Sequence, residues 1–385
     1  MDALQTHEIG SLSKLSWRVK AIQGRTLGAE DLTSAKNWGE RLGIAYQGLI
    51  DLLQRAQQEK LSEADRAEVM RWSSRYAIKM LEQTGLDVIY DGEQQRSEMY
   101  HYPVSHSQGF EFRGTVRSFD NKYYRKAACV AEPKLSRPYH LDEFRFARDH
   151  AEKPLKVPIT GAYTLADWSY DEYYSKGSFQ IGSEFGRAQR NQARRRFVLD
   201  VARNLIRPNI ETLVEAGAEW IQIDEPAVTT HPEEVPLFVE AFEASTQGID
   251  CQFSAHICFS DYTRLFPDIL SMENCSEFAL EFANRDSTAL GVNPQVRTGY
   301  EILTRFKEHR VDKRIGVGVV DVHSDFIEPP DLIRDRILYA VEVLGDPARV
   351  NPTPDCGLRT RTWDVAYEKL SNLVAGAEMA ARSMS

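Results

Sequence analysis

Several things are scarce in this chain, and each shortage excludes a class of protein. Only five cysteines occur in 385 residues, at positions 129, 251, 258, 275 and 356. An odd and scattered set of thiols is not the disulfide framework of a small secreted protein. No run of about 18 apolar residues is present, so no membrane-spanning helix is expected. The opening MDALQTHEIGSLSKL lacks the apolar stretch of a signal peptide. The sequon-like Asn274-Cys275-Ser276 therefore carries no weight. Positive charge is the minority: 47 Lys and Arg face 57 Asp and Glu, a net charge of −10. That balance argues against nucleic acid or an anionic membrane as the main partner. No internal repeat with a period of roughly 20–50 residues and no low-complexity tract stands out. What remains is the profile of a cytoplasmic enzyme, with 42% apolar residues to build a core.

Eight short β-rich runs recur, most of them separated by long helical stretches. The runs cover residues 7–12, 86–93, 155–163, 219–227, 250–258, 277–282, 314–324 and 349–357. Helix-like segments fall at 30–60, 62–84, 179–216, 232–246, 261–273, 298–309, 330–345 and 363–382. This alternation predicts an α/β fold, a (β/α)8 TIM barrel in one catalytic domain over 1–385. Residues 94–150 are surplus to a minimal barrel. They predict an insertion between strands two and three, with a hairpin turning at Asp120-Asn121, placed as a lid or docking surface over the active-site mouth. The basic stretch RAQRNQARRRF (187–197) reads as a solvated helix face, or else as a contact for a phosphate or carboxylate on a large cosubstrate.

In barrels of this kind the active site lies at the C-terminal ends of the strands. There the sequence puts Ser11, Glu93, Asp224, Glu225, His256, Cys258, Glu281, His323 and Cys356. His-x-Cys on a strand presents both side chains on one face, because strand side chains alternate. With Glu281 in FALEFAN and Cys356 in NPTPDCGLRTR, it offers one imidazole, two thiolates and a carboxylate, a plausible four-coordinate zinc set. Those anionic ligands outweigh the zinc charge, so the site suits thiol activation rather than water activation. A free thiol has a pKa of roughly 8.5, and coordination deprotonates it outright. The chemistry implied is alkyl transfer to sulfur. Cys129, Cys251 and Cys275 read as small buried hydrophobes. Of the neighbours Asp224 and Glu225, Asp224 is the preferred ligand contact, while Glu225 pairs with an arginine or caps a loop.

At these residues the chain resembles the catalytic barrel of cobalamin-independent methionine synthase. The matching motifs are EIGSLS (8–13), YDGEQQRSEM (90–99), EWIQIDEPA (219–227), AHICFSDY (255–262), LEFANRD (280–286), GVGVVDVHS (316–324) and NPTPDCGLRTR (351–361). The resemblance implies zinc on His256, Cys258, Glu281 and Cys356. It implies that Ile9, Gly10 and Ser11 bind the carboxylate of homocysteine, and that Glu93 and Asp224 hold its ammonium. Trp168 falls where the family stacks a folate ring, or it simply fills the barrel mouth. His323 matches the family's proton-relay histidine.

The chain is about half as long as the two-barrel, folate-dependent form and resembles the short "core" form. That length points to methylcobalamin, free or on a corrinoid protein, as methyl donor in place of methyltetrahydrofolate. Cob(I)alamin leaves without a proton, whereas a folate N5 needs an acid. Two other readings stand beside methionine formation. One is zinc-dependent alkyl transfer to another thiol, such as coenzyme M with an epoxide, which Glu93 and Asp224 oppose because carboxylates repel a sulfonate. The other is a non-catalytic zinc-binding barrel.

Overall fold

The computed structural model describes residues 3–117, 123–178, 180, 182 and 184–384. Nine strands are named in chain order: β1 (Ser107–Arg117), β2 (Tyr123–Leu135), β3 (Val157–Thr160), β4 (Tyr170–Asp171), β5 (Trp220–Asp224), β6 (Gln252–Ile257), β7 (Cys275–Leu280), β8 (Arg314–Val320) and β9 (Val350–Pro354). A parallel ladder runs β3-β5-β6-β7-β8-β9. Near the chain start it closes through single pairs, His7 with Val88 and Ile89 with Leu155. On the other side His7 N donates to Pro352 O at 3.3 Å, and Leu12 pairs with Leu358. Eight parallel staves thus complete the (β/α)8 barrel. Staves one and two are shorter than the expected 7–12 and 86–93, because loop backbone takes over where the ladder stops. β3, β5 and β9 are buried along their whole length, as apolar parallel strands covered on both faces must be.

The helices are α1 (Ser16–Gln23), α2 (Ala29–Arg41), α3 (Gln47–Gln58), α4 (Glu63–Gln83), α5 (His101–Ser105), α6 (Leu141–His150), α7 (Ala162–Asp167), α8 (Arg187–Val201), α9 (Arg207–Glu215), α10 (Val235–Thr246), α11 (Leu303–Glu308), α12 (Pro330–Leu344) and α13 (Trp363–Met384). Round the barrel α4 packs on α6, α6 on α9 and α9 on α10, and α11, α12 and α13 lead back to α4. Four details differ from the expected helices. The stretch 30–60 breaks at Gly43, whose φ of 64° only glycine adopts without strain. Within 179–216 the described helix starts at Arg187, after Gly186 at the N-cap, and passes through a wide π turn at 202–206. Residues 261–273 form two short 3-10 turns, and 298–309 a 3-10 turn and α11. Residues 141–150 are not insertion: α6 belongs to the helix ring. No helix among the described residues is long and apolar enough to cross a membrane.

The extra segment does carry a hairpin, β1 against antiparallel β2. The expected turn at Asp120-Asn121 lies outside the described residues. β2 also pairs with β4, directly after Trp168, which ties the hairpin to the C-terminal face of the barrel.

A polar layer crosses the barrel interior, where branched apolar residues are the rule. Lys156 is fully buried and donates to His7 Nδ1 at 2.7 Å and to Gln222 Oε1. His7 Nδ1 also lies 3.1 Å from Glu8 O, and its Nε2 is 2.9 Å from Glu277 Oε1. Burial lowers the pKa of His7, against the Glu277 carboxylate beside it. Asn351 Nδ2 donates to Glu277 Oε2 at 2.5 Å.

The barrel's seam, between its last and first staves, is held from outside by Trp363 at the start of α13. Its indole N–H donates to Ser13 O at 2.8 Å, and its ring lies 5.2 Å from that of Trp38 in an edge-on contact. Trp363→Ala removes a buried aromatic and one hydrogen bond, and should cost about 3–5 kcal/mol. Denaturant unfolding followed by circular dichroism measures it; a loss under ~1 kcal/mol would show that the seam does not depend on this contact.

Candidate active site

Parallel register places the central residues. β5 and β6 pair Asp224 with His256, and β6 and β7 pair His256 with Ala279 and Ile257 with Leu280. One step further, Cys258 and Glu281 leave adjacent strand ends together. His256 Nδ1 lies 3.0 Å from Ala279 O, so the ring donates there and turns Nε2 inward. That Nε2 is 3.4 Å from Cys356 Sγ. Cys356 arrives from the turn after β9. The ligand atoms of His256, Cys258 and Cys356 all lie within 4.8 Å of one another.

Glu281 stands beside this trio but outside that 4.8 Å group. Its Oε2 accepts from Phe259 N at 2.8 Å and from Asn284 Nδ2 at 3.4 Å. Its Oε1 is buried, 3.4 Å from His323 Nε2, and makes no hydrogen bond. A buried carboxylate oxygen without a partner is costly, and a cation would remove that cost. Contact with Cys258 draws the Cys356 thiol down to about 5, and Cys258 is pushed well above its usual range. Burial opposes charge on His256, but the Cys356 sulfur prevails and lifts the imidazole to about 9. One thiolate beside one imidazolium is a site whose protons can be exchanged for a metal ion. The donor set of two sulfurs, one nitrogen and a nearby carboxylate suits zinc.

The Asp355 carboxylate secures this corner. Its Oδ1 accepts from Phe282 N and Ala283 N, each at 2.9 Å, and its Oδ2 from Asn284 N at 2.7 Å. It thereby joins the turn after Glu281 to the residue before Cys356. His323 borders the trio from the loop after β8, with its ring 4.8 Å from that of Phe259. The Glu281 carboxylate 3.4 Å away raises its pKa.

An acidic wall stands on the other side. Asp224 is buried and pushed up to about 7, mainly by loss of water, with Glu93 adding repulsion and His256 opposing. Glu93 has a left-handed backbone, φ 56°, next to Gly92 at 62°, and Asp91 Oδ1 accepts its N–H at 2.8 Å. An added Cβ on Gly10 would stand 2.6 Å from Glu93 Oε1, so a bare glycine lets that carboxylate reach strand one. Ser11 packs against Gly357 beside Cys356. Staves one, two and four therefore bring Ile9, Gly10, Ser11, Glu93 and Asp224 to one end of the barrel.

Glu225 does not face this wall. It caps α7, accepting from Tyr163 N at 3.1 Å and Thr164 N at 2.7 Å. Trp168 is half-buried against the hairpin, 6.0 Å from Tyr124 and 6.3 Å from Tyr100. The basic stretch 187–197 spends charge internally, with Arg194 on Asp167 and Glu234 and Arg195 on Glu240. Gln222, Lys156 and Asp355 escaped the sequence reading. Gln222, two residues before Asp224, carried a signal: a polar residue on the same inward face of an apolar strand.

A parallel barrel whose C-terminal face joins two thiols, an imidazole and an acidic wall has the layout of an enzyme with a site able to hold a metal ion. Residues 49–379 match the family described as cobalamin-independent synthase, catalytic domain. A methionine synthase of Thermoplasma acidophilum is 39% identical over 313 residues, spanning 80% of this chain and 88% of that one. A methionine synthase of Thermococcus kodakarensis is 34% identical over 327 residues, with 85% and 87% covered. The structure of a B12-independent methionine synthase from Shewanella sp. W3-18-1 superimposes with a TM-score of 0.73 over 100% of this chain and 99% of that one, at 21% identity. The chain belongs to the cobalamin-independent methionine synthase family and is a methyltransferase.

Glu225→Gln leaves one end of the side chain unable to accept, and two helix amides compete for the other. Stability should fall by about 1–3 kcal/mol, read by thermal or denaturant unfolding, with bound metal unchanged. Loss of metal in this variant would contradict the separation of capping and ligand residues.

Proposed function

We propose that residues 1–385 act as one catalytic barrel that transfers a methyl group to the sulfur of homocysteine, with zinc held by His256, Cys258, Cys356 and Glu281. The observation that carries this reading is the cluster of two thiols and an inward-turned imidazole beside an orphaned Glu281 oxygen. When bound, zinc would supply a site at which a thiol is held as thiolate at neutral pH. The chain's own residues do the rest. Asp224 and Glu93 take the α-ammonium, for which fixed carboxylates in a water-poor cleft are the natural partners. The turn Ile9-Gly10-Ser11 takes the carboxylate. His323 gives or takes a proton at the mouth. The same acidic wall disfavours a sulfonate-bearing thiol such as coenzyme M.

The donor divides two readings. Methylcobalamin, free or on a corrinoid protein, fits a site that offers thiolate activation, because cob(I)alamin leaves without a proton. Methyltetrahydrofolate is supported by the family's description as cobalamin-independent and by His323 at the mouth, an acid of the kind a folate N5 needs. The deciding experiment is methionine formation by zinc-loaded protein with homocysteine and each donor in turn. Turnover with one donor selects that reading, and turnover with neither overturns both.

Cys258→Ser and Cys356→Ser should each lose zinc and activity together, measured by metal analysis beside turnover. Activity kept without zinc would contradict the site. Asp224→Asn should keep zinc and weaken homocysteine binding by about 1.5–3 kcal/mol, seen as a raised KM. Zinc lost along with binding would place Asp224 in the metal set instead.

A further inference from the structure

The barrel interior beneath the acidic wall holds a chain of groups with no part in the chemistry described so far. Gln222 sits at its centre, fully buried. Its Nε2 donates to Asp224 Oδ1 at 2.7 Å and to Ile9 O at 2.6 Å. Its Oε1 accepts from Lys156. The amide orientation is therefore dictated. An ammonium cannot accept, and neither the Ile9 carbonyl nor an ionised Asp224 can donate, so the oxygen must face Lys156 and the NH2 the other two. Lys156 is fixed from behind by His7 Nδ1 at 2.7 Å and by the Trp220 ring, 5.5 Å away.

We propose that Gln222, locked by Lys156, is a positioning residue that clamps Asp224 to the Ile9 turn and so sets the selectivity of the site for a thiol bearing an α-amino-acid group. The inference rests on the reading that Asp224 holds the ammonium of homocysteine. The first and fourth staves are not neighbours in the ladder, and this side chain joins them by a hydrogen bond at the level of Asp224, above the edge-on contact of His7 with Trp220. Gln222 fixes one Asp224 oxygen and leaves the carboxylate no freedom to turn from an incoming ammonium. It also ties the turn proposed for the substrate carboxylate to the residue proposed for the amine, holding both contacts at one spacing.

The test compares homocysteine with 4-sulfanylbutanoate, the same thiol acid without the amine, as methyl acceptors for zinc-loaded wild type, Gln222→Glu and Lys156→Gln. Gln222→Glu keeps shape and partner to Lys156 but has no proton for Asp224 or Ile9 O. The wild type should prefer homocysteine. Both variants should raise KM for homocysteine about 10- to 100-fold, the scale of a charged hydrogen bond. KM for 4-sulfanylbutanoate, which lacks the ammonium contact and keeps only the carboxylate one, should rise less, so the preference falls, while zinc content holds. If Gln222→Glu does not fold, Lys156→Gln carries the test, since it releases the amide without adding charge. Asn351→Ala, at the far end of the network on Glu277, serves as control: it should lower stability and leave the preference intact. A folded, zinc-loaded variant with unchanged preference overturns the proposal. A wild type that methylates neither thiol overturns the functional reading itself, and this inference with it.

Discussion

Everything at the mouth of this barrel depends on the register of three adjacent parallel strands. β6 lies between β5 and β7 so that Asp224 flanks His256 and Cys258 emerges level with Glu281. A slip of one residue would turn every one of these side chains to the opposite face. The register is held by apolar burial on both sides of the ladder and by specific polar ties at its end. The Tyr262 hydroxyl takes part twice, donating to Ile257 O and accepting from Glu281 N, each at 2.8 Å. Backbone geometry thus sets donor groups in place before any ion arrives, and little ordering remains to be done on binding.

The site divides into an electron-rich half and an acidic half with different physics. In the first, burial and mutual contact sort the protons, one sulfur low and the other high. In the second, burial raises Asp224 toward neutrality. A cation placed between Asp224 and Glu93 would restore its charge, so the wall suits a ligand that brings positive charge with it. Beneath both halves lies Lys156, held to about 8 by burial, with Glu8, Glu277 and Asp224 working in the other direction. Glu8, pushed up to about 8 mainly by burial, completes an interior that is polar yet short of full ionisation. Breaking one partner of such a layer leaves the others uncompensated, so its members stand or fall together.

Much of this was legible in the residues. His256 and Cys258 declared themselves by spacing two on an apolar strand, and the eight apolar runs mark the eight staves. Glu281 stood out as a lone carboxylate in an apolar run, though its orphaned oxygen is a fact of three dimensions. The interior network was only hinted at by Gln222, a polar residue on the inward face of its strand, because Lys156 looks unremarkable alone and the two meet only when staves three and four pair. Helix periodicity misled at 261–273, where Pro267 and the Asp261 cap, which takes Thr263 N, favour short turns over a helix. It misled again at 30–60, where the pattern reads through Gly43 although the backbone there turns left-handed. The insertion was drawn too wide because a sequence does not say which helix completes the ring.

The central claim is that the two-thiol site receives the sulfur of homocysteine directly. X-ray absorption at the zinc edge of the loaded protein, recorded with and without homocysteine, tests it. The account predicts two sulfur neighbours rising to three when homocysteine is added, with no such change in Asp224→Asn at the same subsaturating concentration. An unchanged two-sulfur shell in the wild type at saturating homocysteine would contradict it.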